Sequence, residues 1–329
     1  MVAVIASQHF EELCQNDEER EDIEIEDASQ ISTNLEFVPP GVEVPFRDIS
    51  STYHTPIPDA IKLGDPCILG VDEAGRGPVL GAMVYALSYC LKSYADKLPS
   101  FGFADSKQLT HAIRMDLFSR ICNNGTLPED LELFNNIGWG TRIMTARDIS
   151  SGMLRSQTGR VYNLNEQAHD ATISLINEVL AMGVNVTEVY VDTVGPPASY
   201  QAKLSRYFPS IKLIVTKKAD SLFPIVSVAS ICAKVTRDIS LICRDESDGT
   251  WGSGYPSDGK TTKWLKGTLD PVFGWSNVVR FSWQTTKDLL EKNEGAITVD
   301  WSNQESADLR QSAFQSTGYW IGKLVTSEF

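Results

Sequence analysis

Metal-binding cysteine pairs, histidine clusters and long apolar runs are all missing from this chain of 329 residues. Its six cysteines form no CxxC pair and its four histidines are scattered. That argues against the common zinc frameworks and leaves the cysteines as small core residues of a protein kept in a reducing compartment. No run approaches the ~18 apolar residues of a membrane span. The opening "MVAVIAS" is too short for the apolar core of a signal peptide and lacks a basic flank. No internal repeat is visible, and no membrane partner is expected. A general excess of basic charge is absent too, since the formal net charge is −14. That charge is uneven. Residues 1–60 hold 14 acids against two bases, Arg20 and Arg47, and so carry −12, which leaves −2 for the rest. The acidic balance describes an arm and does not exclude a nucleic-acid substrate for the remainder.

The arm, "EELCQNDEEREDIEIEDASQ" at its centre, has too little apolar surface to fold alone. The Pro-punctuated "FVPPGVEVPF" follows as extended chain. The folded domain is expected over residues 61–293, with residues 1–60 as a disordered acidic arm, of which 1–50 are dispensable to the fold, and 294–329 as a tail ending in the aromatic patch "FQSTGYWIGKL". Within the domain, Cys67–Val71 and Gly81–Leu91 read as a strand hairpin through an acidic turn. "DSKQLTHAIRMDLFSRI" reads as a helix capped by Ser106, with Leu109, Ile113 and Leu117 on one face. Ile137–Thr145 reads as a strand and Tyr162–Met182 as a helix stopped by Gly183. Two further strands end at Asp192 and near Asp220, and a helix of small residues follows, with Pro224 in its first turn. This alternation predicts an α/β fold, a mixed central sheet flanked by helices with a C-terminal helical extension.

Carboxylates stand out at the strand ends. Asp72 and Glu73 close an apolar run, and Asp192 and Asp220 close two others. Adjacent buried acids repel each other and lose hydration, so they need a cation or strong donors. Four hard oxygen ligands without histidine or thiolate favour Mg²⁺ or Mn²⁺ over zinc or copper, and two such ions suit in-line phosphoryl displacement. Taken singly, each acid reads equally as a solvated cap.

The blocks "GVDEAGRGPVLGAMV", "ADSKQLT", "VYVDTVG", "KKADSLFPIVSVASICAKVTRD" and "GSGYPSD" resemble, in order over roughly residues 65–290, the signature of the type 2 ribonuclease H family, in particular its eukaryotic branch. The resemblance implies a ribonuclease H-like fold and a metal-dependent endoribonuclease. Such an enzyme cuts the RNA strand of RNA/DNA hybrids and the 5′ side of single ribonucleotides in duplex DNA. It implies that Asp72, Glu73, Asp192 and Asp220 are catalytic and hold two Mg²⁺ or Mn²⁺ ions. It also implies 3′-hydroxyl and 5′-phosphate ends, a nuclear location, and a heterotrimer with two non-catalytic subunits on which the aromatic tail would dock.

By the same resemblance Gly75, Arg76 and Gly77 contact the ribose 2′-hydroxyl. Tyr255 stacks on the sugar 3′ of the ribonucleotide, and Lys107, Lys234 and Arg237 bind phosphates. The residues also permit plainer roles: a tight hairpin turn for Gly75–Gly77, a core plug for Tyr255, surface lysines, and a structural Arg237–Asp238 pair. A junction resolvase on the same fold and a non-catalytic hybrid-binding protein are the alternatives. Gly75–Gly77 with Tyr255 argues against the first, and the four acids argue against the second.

Overall fold

The apolar run from Cys67 forms β2 (Cys67–Ala74), buried on both sides as a central strand should be, and pairs antiparallel with β3 (Met83–Leu91). The expected hairpin is present, but β2 runs on through Asp72 and Glu73, so the acids lie in the strand and the turn begins at Gly75. The computed structural model describes residues 37–103, 109–123, 127–154, 162–244 and 250–292. With β1 (Ser51–His54), β4 (Gly138–Met144), β5 (Val186–Asp192) and β6 (Lys212–Thr216), the strands make one mixed sheet in the order β1-β4-β3-β2-β5-β6. The β2–β5 and β5–β6 pairs are parallel, and the other three pairs are antiparallel.

The helices in chain order are α1 (His111–Cys122), α2 (Pro128–Asn136), α3 (Ala146–Met153), α4 (Leu164–Ala181), α5 (Pro197–Tyr207), α6 (Ala219–Leu222), α7 (Pro224–Ile242), α8 (Gly259–Gly267) and α9 (Gln284–Glu291). One face of the sheet packs on α7 and the other on α4 and α5. This is the expected α/β arrangement. A third cluster, from Val79 and Leu80 through Trp251, Leu265 and Trp275 to Val279, joins the C-terminal layer to the turn after β2. Among the described residues no helix is long and apolar enough to cross a membrane.

The small residues of α7 serve close approach, as expected. A Cβ on Gly70 would lie 2.6 Å from the Ile225 carbonyl, and the Ser88 hydroxyl donates to that same oxygen at 2.6 Å. The α4 helix begins after Asn163, whose side chain accepts from Glu166 N–H, and it is followed by Gly183 at φ +97°.

Three expectations need correction. The α1 helix is capped by Thr110, whose Oγ1 accepts from Ile113 N–H at 3.3 Å. Starting there, the helix buries Leu117, Phe118 and Ile121 and leaves Ile113 46% exposed; Ser106 lies outside the described residues. The strand expected to end near Asp220 stops at Thr216, because Lys218 takes the left-handed conformation (φ 57°) and starts α6.

The folded chain also begins before residue 61. The β1 strand pairs with β4, Phe37, Val38 and Phe46 pack on the α7-side core, and Asp48 makes a bidentate pair with the buried Arg244 at 2.6 and 2.8 Å. Residues 37–50 are therefore part of the domain. The acidic run and the aromatic tail lie outside the described residues. Removing residues 1–50 takes away Asp48 and the packing of Phe37, Val38 and Phe46. That truncation should unfold at lower denaturant than one ending at residue 36; equal stabilities would refute the anchor.

Candidate active site

Parallel pairing of β2 with β5 aligns Val71 with Val191 and sets the next residues, Asp72 and Asp192, side by side at the carboxyl ends of both strands. That is where α/β sheets gather polar groups. Asp72 is only 6% exposed. Burial first, and the Asp192 charge second, push its carboxyl well above the usual carboxylate range. The Ser230 hydroxyl, the Glu73 N–H at 2.7 Å and the charge of Lys234 act against that rise. Ser230 and Lys234 stand one turn apart on α7, so a single helix face supplies both. Asp192 Oδ1 accepts the Ala219 N–H at 2.6 Å, which ties the start of α6 to the site. Asp220 follows, 5% exposed, its Oδ1 accepting the Ser221 N–H at 3.0 Å. It stands on a helical turn and not at a strand end.

The pleat separates Asp72 from Glu73. Successive side chains point to opposite faces, so Glu73 faces α4 and α5, opposite Tyr85 on β3. It lines a cavity of about 110 Å³ with Arg76, His169 and Tyr200, and Asp72 and Asp192 border the same cavity. Repulsion within the Asp72-Glu73 pair is thus not what strains this site; the opposed charges are those of Asp72 and Asp192. Glu73 Oε1 is 3.3 Å from Arg76 Nη1. In the same cavity His169 stacks on Tyr200 at 3.9 Å, and burial holds its imidazole down at about 4.

The Gly75–Gly77 turn is built from outside. Gly75 has φ +79°, and a Cβ on it would meet Ala82 O at 2.7 Å, so only glycine fits. Arg280, fully buried, donates to Gly75 O at 2.6 Å, Gly81 O at 3.0 Å and Arg76 O at 3.2 Å. Burial, and then the Arg237 charge, lower its pKa to about 9. Trp283 Nε1 donates to Gly77 O at 3.0 Å. A Cβ on Gly77 would lie 3.1 Å from Tyr255 Cε1, so the tyrosine ring packs on this turn, half-buried.

Arg237 lies between the same loops. Its Cγ would be 3.0 Å from a Gly75 Cβ, its Nη1 donates to Asp238 Oδ1 at 2.9 Å, and its Nη2 donates to Ser253 O at 3.3 Å. The Arg237–Asp238 pair weighed against phosphate binding is present. Lys107 lies outside the described residues.

The structure therefore joins Asp72, Asp192 and Lys234, gathers Gly75–Gly77 with Arg237 and Tyr255, and holds Glu73 on the opposite face. Ser230, Arg280 and Trp283 were missed. Only Arg280 carried a signal, as a lone charge inside the apolar run "VVRFSW".

The donor set fits a hard divalent cation, for which carboxylate oxygens are the ligands and a mutually repelling pair the electrostatic demand. Among the described residues no three His, Cys, Asp or Glu side chains form a ready-made cage.

The family model described as Ribonuclease HII matches residues 69–286. The chain is 52% identical over 280 residues to a Schizosaccharomyces pombe protein named as one of the subunits of Ribonuclease H2, with 83% of each chain covered. It is 45% identical over 265 residues to the Homo sapiens protein of the same name, covering 78% of this chain and 84% of that one. Among solved structures, ribonuclease H2 from Pyrococcus horikoshii OT3 superposes with a TM-score of 0.57 at 29% identity, over 69% of this chain and 100% of that one. RNase HII in the PCNA:RNase HII complex from Archaeoglobus fulgidus gives 0.54 at 26% identity, over 69% and 98%.

The raised Asp72 pKa fixes a sign. A group whose folded pKa exceeds its unfolded value contributes stability below the unfolded pKa and loses it as pH rises through the folded one. Metal-free protein should therefore lose stability on this account between acid and neutral pH. Asp72→Asn should melt higher at neutral pH in EDTA, by on the order of 2–4 °C per kcal/mol of relieved repulsion. An unchanged or lower melting temperature would show that the pair is already compensated.

Proposed function

This chain belongs to the ribonuclease HII family, which makes it a ribonuclease H, and we propose that it cuts RNA paired with DNA, and the 5′ side of single ribonucleotides in duplex DNA, with divalent metal. The observation that carries the reading is one convergence: the buried Asp72, beside the half-buried Asp192, on the strand that leads into the Gly75–Gly77 turn on which Tyr255 packs. A junction resolvase would have use for the acids but not for that turn and ring.

In this reading Asp72, Glu73, Asp192 and Asp220 hold two Mg²⁺ or Mn²⁺ ions. When bound, these supply an activated water and charge stabilisation for in-line displacement. The protein does the rest. Ser230 and the Glu73 N–H orient Asp72, and the Ala219 N–H orients Asp192. Lys234, on the same side, neutralises phosphate charge; Lys107 is assigned the same task from its motif.

The carbonyls of Gly75, Arg76 and Gly77 are taken by Arg280 and Trp283. The turn therefore offers amides to a ribose 2′-hydroxyl, the group that distinguishes RNA from DNA. Arg237 spaces this turn from the Tyr255 loop and leaves direct phosphate contact to the lysines. Tyr255 stacks on the next sugar. Relatives carry names that make each of them one subunit of its enzyme, which supports assembly with two non-catalytic partners; a nuclear location goes with that role.

Displacement by water leaves a 3′-hydroxyl and a 5′-phosphate, with the 2′-hydroxyl recognised but not attacking. Cleavage of a duplex with one embedded ribonucleotide should require added Mg²⁺, stop in EDTA and in Asp192→Asn, and give those ends on mass analysis. A 2′,3′-cyclic phosphate would mean another mechanism.

Tyr255→Ala should keep the carboxylate site and lose a stacking contact worth about 1–3 kcal/mol. Single-ribonucleotide sites should then suffer far more than a continuous hybrid, with Tyr255→Phe in between. Equal losses on both substrates would place junction sensing elsewhere.

A further inference from the structure

Glu73 borders a cavity that Asp72 and Asp192 also border, which leaves room for its flexible side chain to turn. Something must aim it. Tyr85 stands directly opposite on β3, on the same face and 1% exposed, and the Glu73 charge bears on its hydroxyl. The hydroxyl's other neighbour is the Met83 sulfur at 3.4 Å, a weak acceptor.

From the open side Arg76 Nη1 reaches Glu73 Oε1 at 3.3 Å. Arg76 is long and does not hold itself: its Nη2 donates to Asn165 Oδ1. Asn165 lies in the first turn of α4, a turn that Asn163 fixes by accepting Glu166 N–H at 3.0 Å. Glu73 thus lies between β3 and α4, with Tyr85 opposite it and Asn165 reaching it through Arg76.

We propose that Tyr85 and Asn165 are positioning residues for this site: Tyr85 holds the Glu73 carboxylate directly, Asn165 holds it through Arg76, and together they aim it at the cation site of Asp72 and Asp192. This rests on the reading of Glu73 as a metal carboxylate. Outer partners of ligating carboxylates commonly carry 10–100-fold in metal affinity. Neither residue touches substrate or the reacting atoms in this assignment. A residue that merely fills the core would change stability and leave metal affinity alone.

The test titrates Mn²⁺ alone into the full chain, follows free Mn²⁺ by electron paramagnetic resonance, and runs metal-free melts in parallel. Tyr85→Phe keeps the ring and should melt with the parent, yet bind Mn²⁺ about 10–100-fold more weakly. Cleavage by Tyr85→Phe should need more Mg²⁺, with kcat recovering at saturation. Asn165→Ala, at an exposed position, should shift the same way by less, and it carries the test should Tyr85→Phe fail to fold.

Asp192→Asn separates the two readings. If it loses Mn²⁺ while Tyr85→Phe and Asn165→Ala bind like the parent, the metal site stands and the positioning role is overturned. If Asp192→Asn also binds like the parent, the metal reading falls, and this inference with it.

Discussion

Two carboxylates, the buried Asp72 and the half-buried Asp192, lie side by side because β2 and β5 run parallel and in register there, and the neighbourhood is arranged around that juxtaposition. Each acid costs hydration and repels the other. What answers them comes from α7, where Ser230 and Lys234 share one face. That help depends on how close the helix can come. A Cβ at Gly70 would collide with the Ile225 carbonyl at 2.6 Å, and Ser88 donates to the same carbonyl, which fixes the start of α7 over β2 and β3. The residues that look like core packing therefore set the electrostatics of the carboxylates.

A second layer builds the recognition turn. Arg280 brings a whole guanidinium into the interior and spends it on backbone oxygens: Gly75, Arg76 and Gly81. Carbonyl dipoles and the Trp283 face, 4.7 Å from its centre, accommodate the charge. A lysine would not replace it, since a single ammonium cannot present the planar fork that serves three separated carbonyls. The turn is consequently held by the chain's C-terminal layer, some two hundred residues away, and not by its own hairpin. Its conformation should hence be a property of the folded whole.

Much of this was legible in the sequence, for identifiable reasons. The β2–β3 hairpin, α4 and α7 come from long apolar patterns bounded by Gly or Pro, where local signals and tertiary demand agree. The start of the domain was not legible, because β1 has four residues, its flank is Pro-rich, and its partner β4 is distant in sequence. Asp220 was misplaced onto a strand end because nothing in "IVTKKAD" announces a left-handed Lys218; a non-glycine residue in that conformation is a tertiary outcome. Ser230 reads as one more small helix residue until β5 brings Asp192 against Asp72. The motif blocks singled out the four acids, but they gave no hint that Asp72 and Glu73 point to opposite faces of the sheet.

That parting has a geometric consequence. Side chains on opposite faces of one strand can share a ligand only where the sheet beside them ends. For Asp72 and Glu73 that place lies past the last β2–β5 pair, Val71 with Val191, where both acids and Asp192 border one cavity. Any cation that both acids touch must accordingly sit where the backbone opens toward the outside and where a phosphodiester can approach. The absence of a ready-made three-ligand cage among the described residues follows from the same geometry. In the proposed function, the coordination is left for substrate to complete. Recognition and chemistry are then linked through the bound nucleic acid: a strand seated on the turn and on Tyr255 brings its phosphate to the open side of the acids, and a strand that fails to seat leaves them incomplete.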